Sequence, residues 1–283
     1  MSGREDLFAR LDAARDRMIG LQRLLTSVPA LAPENGGEGE ARKAEALAAW
    51  LEEAGLGPAA DHPSADDRVP GGRRPNLTVH LSGRDPGRAF WIMSHLDVVP
   101  PGDPAKWESD PYQLAERGGR LYGRGTEDNQ QGMVSSIFAA LVLREAGVVP
   151  PRDVKLLFAA DEEVGSAHGI QALLRDHPDL FGKEDTFLVP DGGRSDGSMI
   201  EVAEKSLLWL RFTVQGRQVH ASMPHLGKNA FLAGSDLVVR LGKGLPAAFP
   251  EGDPIFDPPY STFCPTKKEA NVPNVNTIPG LDV

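Results

Sequence analysis

The sequence contains one cysteine, Cys264, so the chain cannot form a disulfide within itself and nothing requires an oxidising compartment. It has no apolar run that approaches the roughly 20 residues of a membrane span. The start, MSGREDLFARLDAARDR, is a charged amphipathic pattern rather than a signal peptide. These absences predict a cytoplasmic protein without a membrane partner.

Positive charge is also scarce. The 283 residues include 30 Lys and Arg against 40 Asp and Glu, for a net charge of −10. Nucleic acids and anionic lipid surfaces favour basic patches, so this balance argues against both as partners. A chain of this length buries a sizeable core and forms one large or two smaller domains. The composition therefore favours a small-molecule enzyme, and we predict two domains.

Three short apolar segments each stop at side chains that can carry chemistry. They are AFWIM (89–93) before His95 and Asp97, VKLLFAA (154–160) before Asp161, Glu162 and Glu163, and TFLV (186–189) before Asp191. Such segments are typical of buried central strands. In open α/β sheets, ligands bind beyond the carboxyl ends of the strands. We therefore expect these side chains at one edge of a sheet.

Each of these residues also has an ordinary structural interpretation. His95 and Asp97 fit a strand-end imidazole hydrogen-bonded to a turn aspartate. Asp128 follows a glycine-rich stretch and precedes a predicted helix, where aspartate is a common N-cap. The acidic triplet at 161–163 fits a solvated turn, although adjacent carboxylates repel one another unless a cation or proton compensates. Taken together, one imidazole and several carboxylates suit a two-metal hydrolytic centre that accepts zinc, cobalt or manganese.

The remaining secondary structure follows from periodicity and turn residues. Predicted helices are 5–28, 40–54, 130–146, 166–177 and 229–241, and further strands are 76–81 and 206–215. A Gly- and Glu-rich loop spans 33–39. The polar, proline-containing region 58–75 is expected to be an exposed connection without visible chemistry.

Five ordered motifs match a known family. They are SHLDVVPPGD (94–103), GRGTEDNQQG (123–132), DEEVGS (161–166), PDGG (190–193) and GRQVHASMPHLGKNA (216–230). With these motifs the chain resembles the M20 group of co-catalytic metallopeptidases and amidohydrolases, which includes succinyl-diaminopimelate desuccinylase, acetylornithine deacetylase, aminoacylase, carboxypeptidase G and dipeptidases. The resemblance implies an α/β catalytic domain over 1–204, with a mixed, mostly parallel sheet flanked by helices as in zinc exopeptidases. It implies a smaller, inserted α+β dimerisation or lid domain, present in part over 205–283.

The resemblance also implies a set of metal ligands. His95 and Asp191 would hold one divalent ion, Glu163 the second, and Asp128 would bridge the two. The metal would be zinc, with cobalt or manganese as alternatives. A cis peptide bond is expected after the bridging aspartate, between Asp128 and Asn129.

Other residues receive roles by the same resemblance. Asp97 would orient His95. Glu162 would act as general base and then acid, taking a proton from the water between the metals and delivering it to the leaving nitrogen. His220 would reach the active site of the other subunit of a homodimer and stabilise the carbonyl oxygen as it becomes negative. Asn276 would contact the substrate.

The implied reaction is hydrolysis of a C–N amide bond in an N-acyl amino acid or small peptide. Two departures keep alternatives open: Asn129-Gln130-Gln131 stands where many members have a lysine, and the sequence stops at Val283, before the family's last ligand histidine and its substrate-binding arginine. The chain is then a fragment of a longer enzyme or a natural short relative, with a deacylase specificity or that of a dipeptidase or aminopeptidase. An inactive relative that acts as a binding or regulatory protein is the third alternative.

Overall fold

The structure is a computed structural model that describes residues 3–194, 196–269 and 277–282. The predicted substrate-contacting residue Asn276 lies outside these residues. The chain divides into two compact units, Met1–Ser198 and Met199–Val283. Within the described residues, no helix has both the length and the apolar character that a membrane span requires.

The first unit alternates helices and strands. Its helices are α1 (Gly3–Ala13), α2 (Arg15–Ser27), α3 (Ala41–Glu53), α4 (Gln130–Glu145) and α5 (Ile170–Asp176). Its strands are β1 (Ala60–Asp61), β2 (Ser64–Ala65), β3 (Arg73–Arg74), β4 (Leu77–Leu81), β5 (Ala89–His95), β6 (Ala115–Arg117), β7 (Arg120–Tyr122), β8 (Asp153–Ala159) and β9 (Thr186–Leu188).

The central sheet of this unit is mixed, as predicted. Its strand order is β1-β4-β8-β5-β9. Strands β8, β5 and β9 run parallel, whereas β4 is antiparallel to both β8 and β1. His95 pairs with Ala159, so the ends of β5 and β8 lie side by side. The parallel strands therefore deliver the residues that follow them to the same edge of the sheet.

Helices cover both faces of the sheet. On one face, buried side chains of α2, α3 and α4 pack on Leu77, Leu156 and Phe158. On the other face, Leu173 of α5 packs with Trp91 and other buried residues. Burial on both faces accounts for the continuous apolar runs that identified β5 and β8 in the sequence.

Three expectations for the first unit are wrong in detail. The predicted helix 5–28 is interrupted at Ala14, whose N–H is shared between the carbonyls of Arg10 and Leu11. The predicted helix 166–177 begins only at Ile170, because Ser166 has a positive φ of 59° and Gly169, with φ −93° and ψ −118°, is not helical. The region 58–75 is not simply an exposed connection: it forms β1, β2 and β3 and contains the fully buried Arg74.

The second unit contains α6 (Ala230–Ala248) and the strands β10 (Val214–Gln215), β11 (Val219–His220), β12 (Thr277–Ile278) and β13 (Leu281–Asp282). Asn229 caps α6, since its side-chain oxygen accepts a hydrogen bond from the N–H of Leu232. The predicted strand 206–215 is realised only at its end. Val214 and Gln215 pair with β13, whereas residues 206–213 form no strand with any other part of the chain that the structure describes.

Candidate metal centre

His95, the last residue of β5, is only 3% exposed. Its Nδ1 lies 3.0 Å from the backbone carbonyl oxygen of Asp97. A carbonyl can only accept, so Nδ1 is a donor, and Nε2 is the nitrogen that binds a cation once its own proton has left. The backbone of Asp97 therefore fixes the tautomer of His95. The Asp97 carboxylate is farther away, at 3.4 Å from Nδ1.

The carboxylate of Asp97 has a second role that the sequence does not reveal. It is 1% exposed and accepts hydrogen bonds from the backbone N–H groups of Glu162 and Glu163, both at 3.0 Å. These bonds link the end of β5 to the acidic segment after β8. One aspartate thus positions the imidazole with its carbonyl and both glutamates with its carboxylate.

The predicted ligands converge around Nε2 of His95. This atom lies 2.9 Å from Asp128 Oδ1, 3.7 Å from Asp191 Oδ2 and 4.0 Å from Glu162 Oε2. Two groups, His95 with Asp128 and Glu163, and His95 with Glu162 and Asp191, each have ligand atoms within 4.8 Å of one another. The structure therefore brings together the residues that the strand-end pattern nominated.

Asn129 links the two segments that carry Asp128 and Asp191. The Asp128–Asn129 peptide bond is cis, as expected. The buried side chain of Asn129 donates to Asp191 Oδ1 at 2.7 Å and to the carbonyl of Pro190 at 3.3 Å. A side chain at Gly132, in the first turn of α4, would come within 2.1 Å of that carbonyl. Glycine at this position lets α4 pack closely against the loop that carries Asp191.

The ionisable groups of the site shift one another's pKa values. Burial would lower the pKa of His95, but its bond to Asp97 and the charges of Asp97, Asp191 and Glu162 raise it to about 9. Burial and the charge of Asp128 raise the pKa of Glu163 to about 7. Burial, assisted by the neighbouring carboxylates, also raises the pKa of Glu162. The cluster therefore holds protons near neutral pH, and these protons occupy the place that a divalent cation would take.

These shifts set the pH dependence of stability in the metal-free protein. The pKa of Glu163 is raised in the fold. The stability that this carboxyl group contributes is therefore fully present below its ordinary pKa of 4.5 and is lost as pH rises through about 7. We expect the free energy of unfolding to fall across this range in denaturant titrations. The Glu163→Gln variant, which imitates the neutral acid, should show a shallower fall. An identical slope in both proteins would contradict the assignment.

Of the two remaining predicted site residues, His220 and Asn276, the structure describes His220. His220, on β11 of the second unit, is exposed and accepts a hydrogen bond from the N–H of Ser222 at 3.2 Å. Asn276 is outside the described residues. Sequence reasoning also missed a buried charged cluster formed by Glu40, Asp66, Arg74 and Asp161. The only sequence signal for it is the Gly- and Glu-rich loop before α3.

Comparison with known proteins identifies the family. A model described as peptidase family M20/M25/M40 matches residues 91–238, and a peptidase dimerisation domain matches residues 202–282. An uncharacterized metallohydrolase of Methanocaldococcus jannaschii is 37% identical over 272 residues, which cover 94% of this chain and 66% of that protein. Succinyl-diaminopimelate desuccinylase 2 of Ruegeria sp. is 34% identical over 209 residues, with coverages of 72% and 51%.

The fold has a counterpart among solved structures. The dipeptidase Dug1p from Saccharomyces cerevisiae aligns with 100% of this chain and 71% of its own, at a TM-score of 0.69 and 14% identity. At this identity the likeness concerns the fold alone.

Proposed function

The chain belongs to peptidase family M20/M25/M40, and from this premise we propose that it is a metal-dependent hydrolase of C–N amide bonds in N-acyl amino acids or small peptides. The observation that carries the proposal is the convergence of four carboxylates on the Nε2 edge of His95. We assign His95 and Asp191 to one divalent ion, Glu163 to the second, and Asp128 to both. This donor set fits zinc, cobalt or manganese.

Bound divalent ions supply Lewis acidity, which polarises the scissile carbonyl and lowers the pKa of the attacking water. The side chains and backbone of the protein hold the metal ligands in position. Asp97 holds His95 in the tautomer that presents Nε2 and holds Glu162 and Glu163 through their N–H groups. Asn129 holds Asp191. Most of the geometry is therefore fixed by hydrogen bonds before a substrate arrives.

Glu162 is assigned as the proton carrier. Its carboxylate lies beside the ligand Glu163 in sequence and 4.0 Å from Nε2 of His95. The raised pKa of this carboxyl group lies closer to neutral pH, where a general base both accepts and returns a proton efficiently. It would take the proton of the attacking water and give it to the leaving nitrogen.

We further propose that the catalytic function belongs to residues 1–204 and dimerisation to 205–283. The match of residues 202–282 to a dimerisation domain supports a homodimer. In such a dimer His220 would serve the active site of the partner as an oxyanion donor, and Asn276 would contact the substrate. A small acylated amino acid or peptide remains the proposed ligand.

The test is release of a free amine from a defined panel. Metal-reconstituted protein is incubated with N-succinyl and N-acetyl amino acids and with dipeptides, and the same protein after chelation serves as control. We expect metal-dependent release from at least one class, and the preferred class separates deacylase from dipeptidase specificity. Stoichiometric metal binding without any release would instead favour a binding or regulatory protein.

A further inference from the structure

A buried cluster of charges adjoins the acidic segment of the site. Arg74 and Glu40 are both 0% exposed. The guanidinium donates from Nε to Glu40 Oε2 at 2.5 Å and from Nη2 to Glu40 Oε1, which makes a bidentate pair. It also donates from Nη1 to Asp66 Oδ2 at 3.3 Å, and its Nη2 lies 3.2 Å from Asp161 Oδ1. One arginine thus contacts three carboxylates in the interior.

Asp161 is the residue that joins this cluster to the site. It lies between β8 and Glu162, and its φ of 66° is in the left-handed region, which aspartate adopts more readily than most residues other than glycine. Its N–H donates to Glu40 Oε1 at 3.2 Å, and its carboxylate accepts from the N–H of His168 at 2.9 Å. Its carbonyl accepts from the N–H of Ser166 at 2.6 Å.

The segment that supplies Arg74 also holds the two ends of the acidic loop. The buried Asn76 accepts from the N–H of Ala160 at 3.0 Å and donates to the carbonyl of His168 at 2.9 Å. Residues 160 and 168 flank the turn that contains Asp161. Asn76, the first residue of the predicted strand 76–81, therefore clamps the loop that carries both glutamates.

The Gly- and Glu-rich loop before α3 provides the partner of Arg74. A Cβ atom at Gly37 would lie 2.1 Å from the carbonyl oxygen of Leu31, and Gly39 has a φ of 76°. Both positions therefore require glycine. The loop folds closely on itself and delivers Glu40 into the interior.

We propose that Arg74 is a positioning residue for the metal centre: by pairing with Glu40 and Asp161 it holds the turn at Asp161 and thereby fixes Glu162 and Glu163. This inference rests on the proposed function for the roles of those two glutamates. The role is specific to arginine. A lysine would keep the charge but cannot contact three carboxylates with a planar fork.

The test compares Arg74→Lys with Arg73→Lys, the same change at the neighbouring residue, whose side chain is 46% exposed and pairs with Asp61. In the metal-free proteins, amide hydrogen exchange in residues 161–168 should accelerate in Arg74→Lys, while α4 keeps its protection. In the reconstituted proteins, metal affinity should fall about 10- to 100-fold. The rate constant kcat should fall with little change in KM.

The readouts separate this inference from the proposed function. A wild-type protein that binds no metal would sink the proposed function, yet exchange at 161–168 would still report on the turn. Glu40→Gln keeps the shape of the acceptor and weakens the ion pair, so it should change hydrogen exchange, metal affinity and kcat in the same directions but by less. It replaces Arg74→Lys if that variant does not fold. Exchange and affinity equal to those of Arg73→Lys would overturn the inference, as would an equal loss of protection throughout the first unit.

Discussion

Replacing Glu162 by Gln is expected to lower turnover by about 10²- to 10⁴-fold, the usual contribution of a general acid–base group. Glutamine keeps the size of the side chain and its polar contacts but can neither accept nor return the proton. The backbone N–H of residue 162 still donates to Asp97, so the fold of the loop is preserved. Metal content, measured by elemental analysis, should remain that of the wild type.

The adjacent glutamate offers a matched comparison. Glu163→Gln makes the same chemical change one residue along, in a side chain assigned to hold the second ion. It should lose metal and turnover together, whereas Glu162→Gln should lose turnover alone. Wild-type turnover in Glu162→Gln would remove this residue from the mechanism, and loss of metal in both variants would make Glu162 a ligand rather than a base.

The clustering of the candidate site residues could be predicted from the sequence because local patterns mark them. His95, Glu162 and Asp191 follow apolar strands, and Asp128 precedes a helix after a run of glycines. Parallel pairing of β8, β5 and β9 then brings the strand ends to one edge, as the fold class implies. The pattern did not show that the carbonyl of Asp97 contacts His95 while its carboxylate accepts from the N–H groups of Glu162 and Glu163. These contacts depend on the register of β5 and β8.

The buried cluster could not be predicted for a different reason. Hydropathy patterns treat arginine and glutamate as surface residues, so the hydropathy of Arg74 and Glu40 did not predict their burial. Their burial depends on one another, through a bidentate bond between segments that are distant in the chain. A charge of either sign alone would be costly at this depth, and the pairing with its added hydrogen bonds offsets that cost. Such pairing is absent from any local window of the sequence.

The expectation of a strand over residues 206–213 was wrong: no other described segment pairs with them, and alternation indicates a half-buried strand only when a partner strand is available. Val214 and Gln215 meet that condition through β13. Leu207, Leu208 and Trp209 remain 68–78% exposed. Alternation is a property of one segment, whereas strand pairing also requires a second segment. The sequence of 206–213 alone therefore could not predict whether this segment pairs.

Metal-reconstituted protein is expected to bind two equivalents of divalent metal per chain, and Asp128→Ala to lose both. Asp128 is the carboxylate assigned to both ions, and its Oδ1 lies 2.9 Å from Nε2 of His95, so its removal takes a ligand from each site. Bound metal stabilises only the folded state, by about 2.7 kcal/mol at 100 times the dissociation constant. That increment should vanish in Asp128→Ala. Glu127→Ala, which removes the neighbouring exposed carboxylate, is the control and should keep both ions.

Elemental analysis and thermal unfolding with and without metal decide the outcome together. If Asp128→Ala loses one equivalent and keeps the other, Asp128 is a ligand of a single ion and the bridge is wrong. If wild-type protein binds one equivalent or none, residues 95–191 do not form a two-metal centre in this chain. Two equivalents lost together would mean that His95, Glu163 and Asp191 hold neither ion stably without the shared carboxylate, which is the behaviour that a bridging ligand requires.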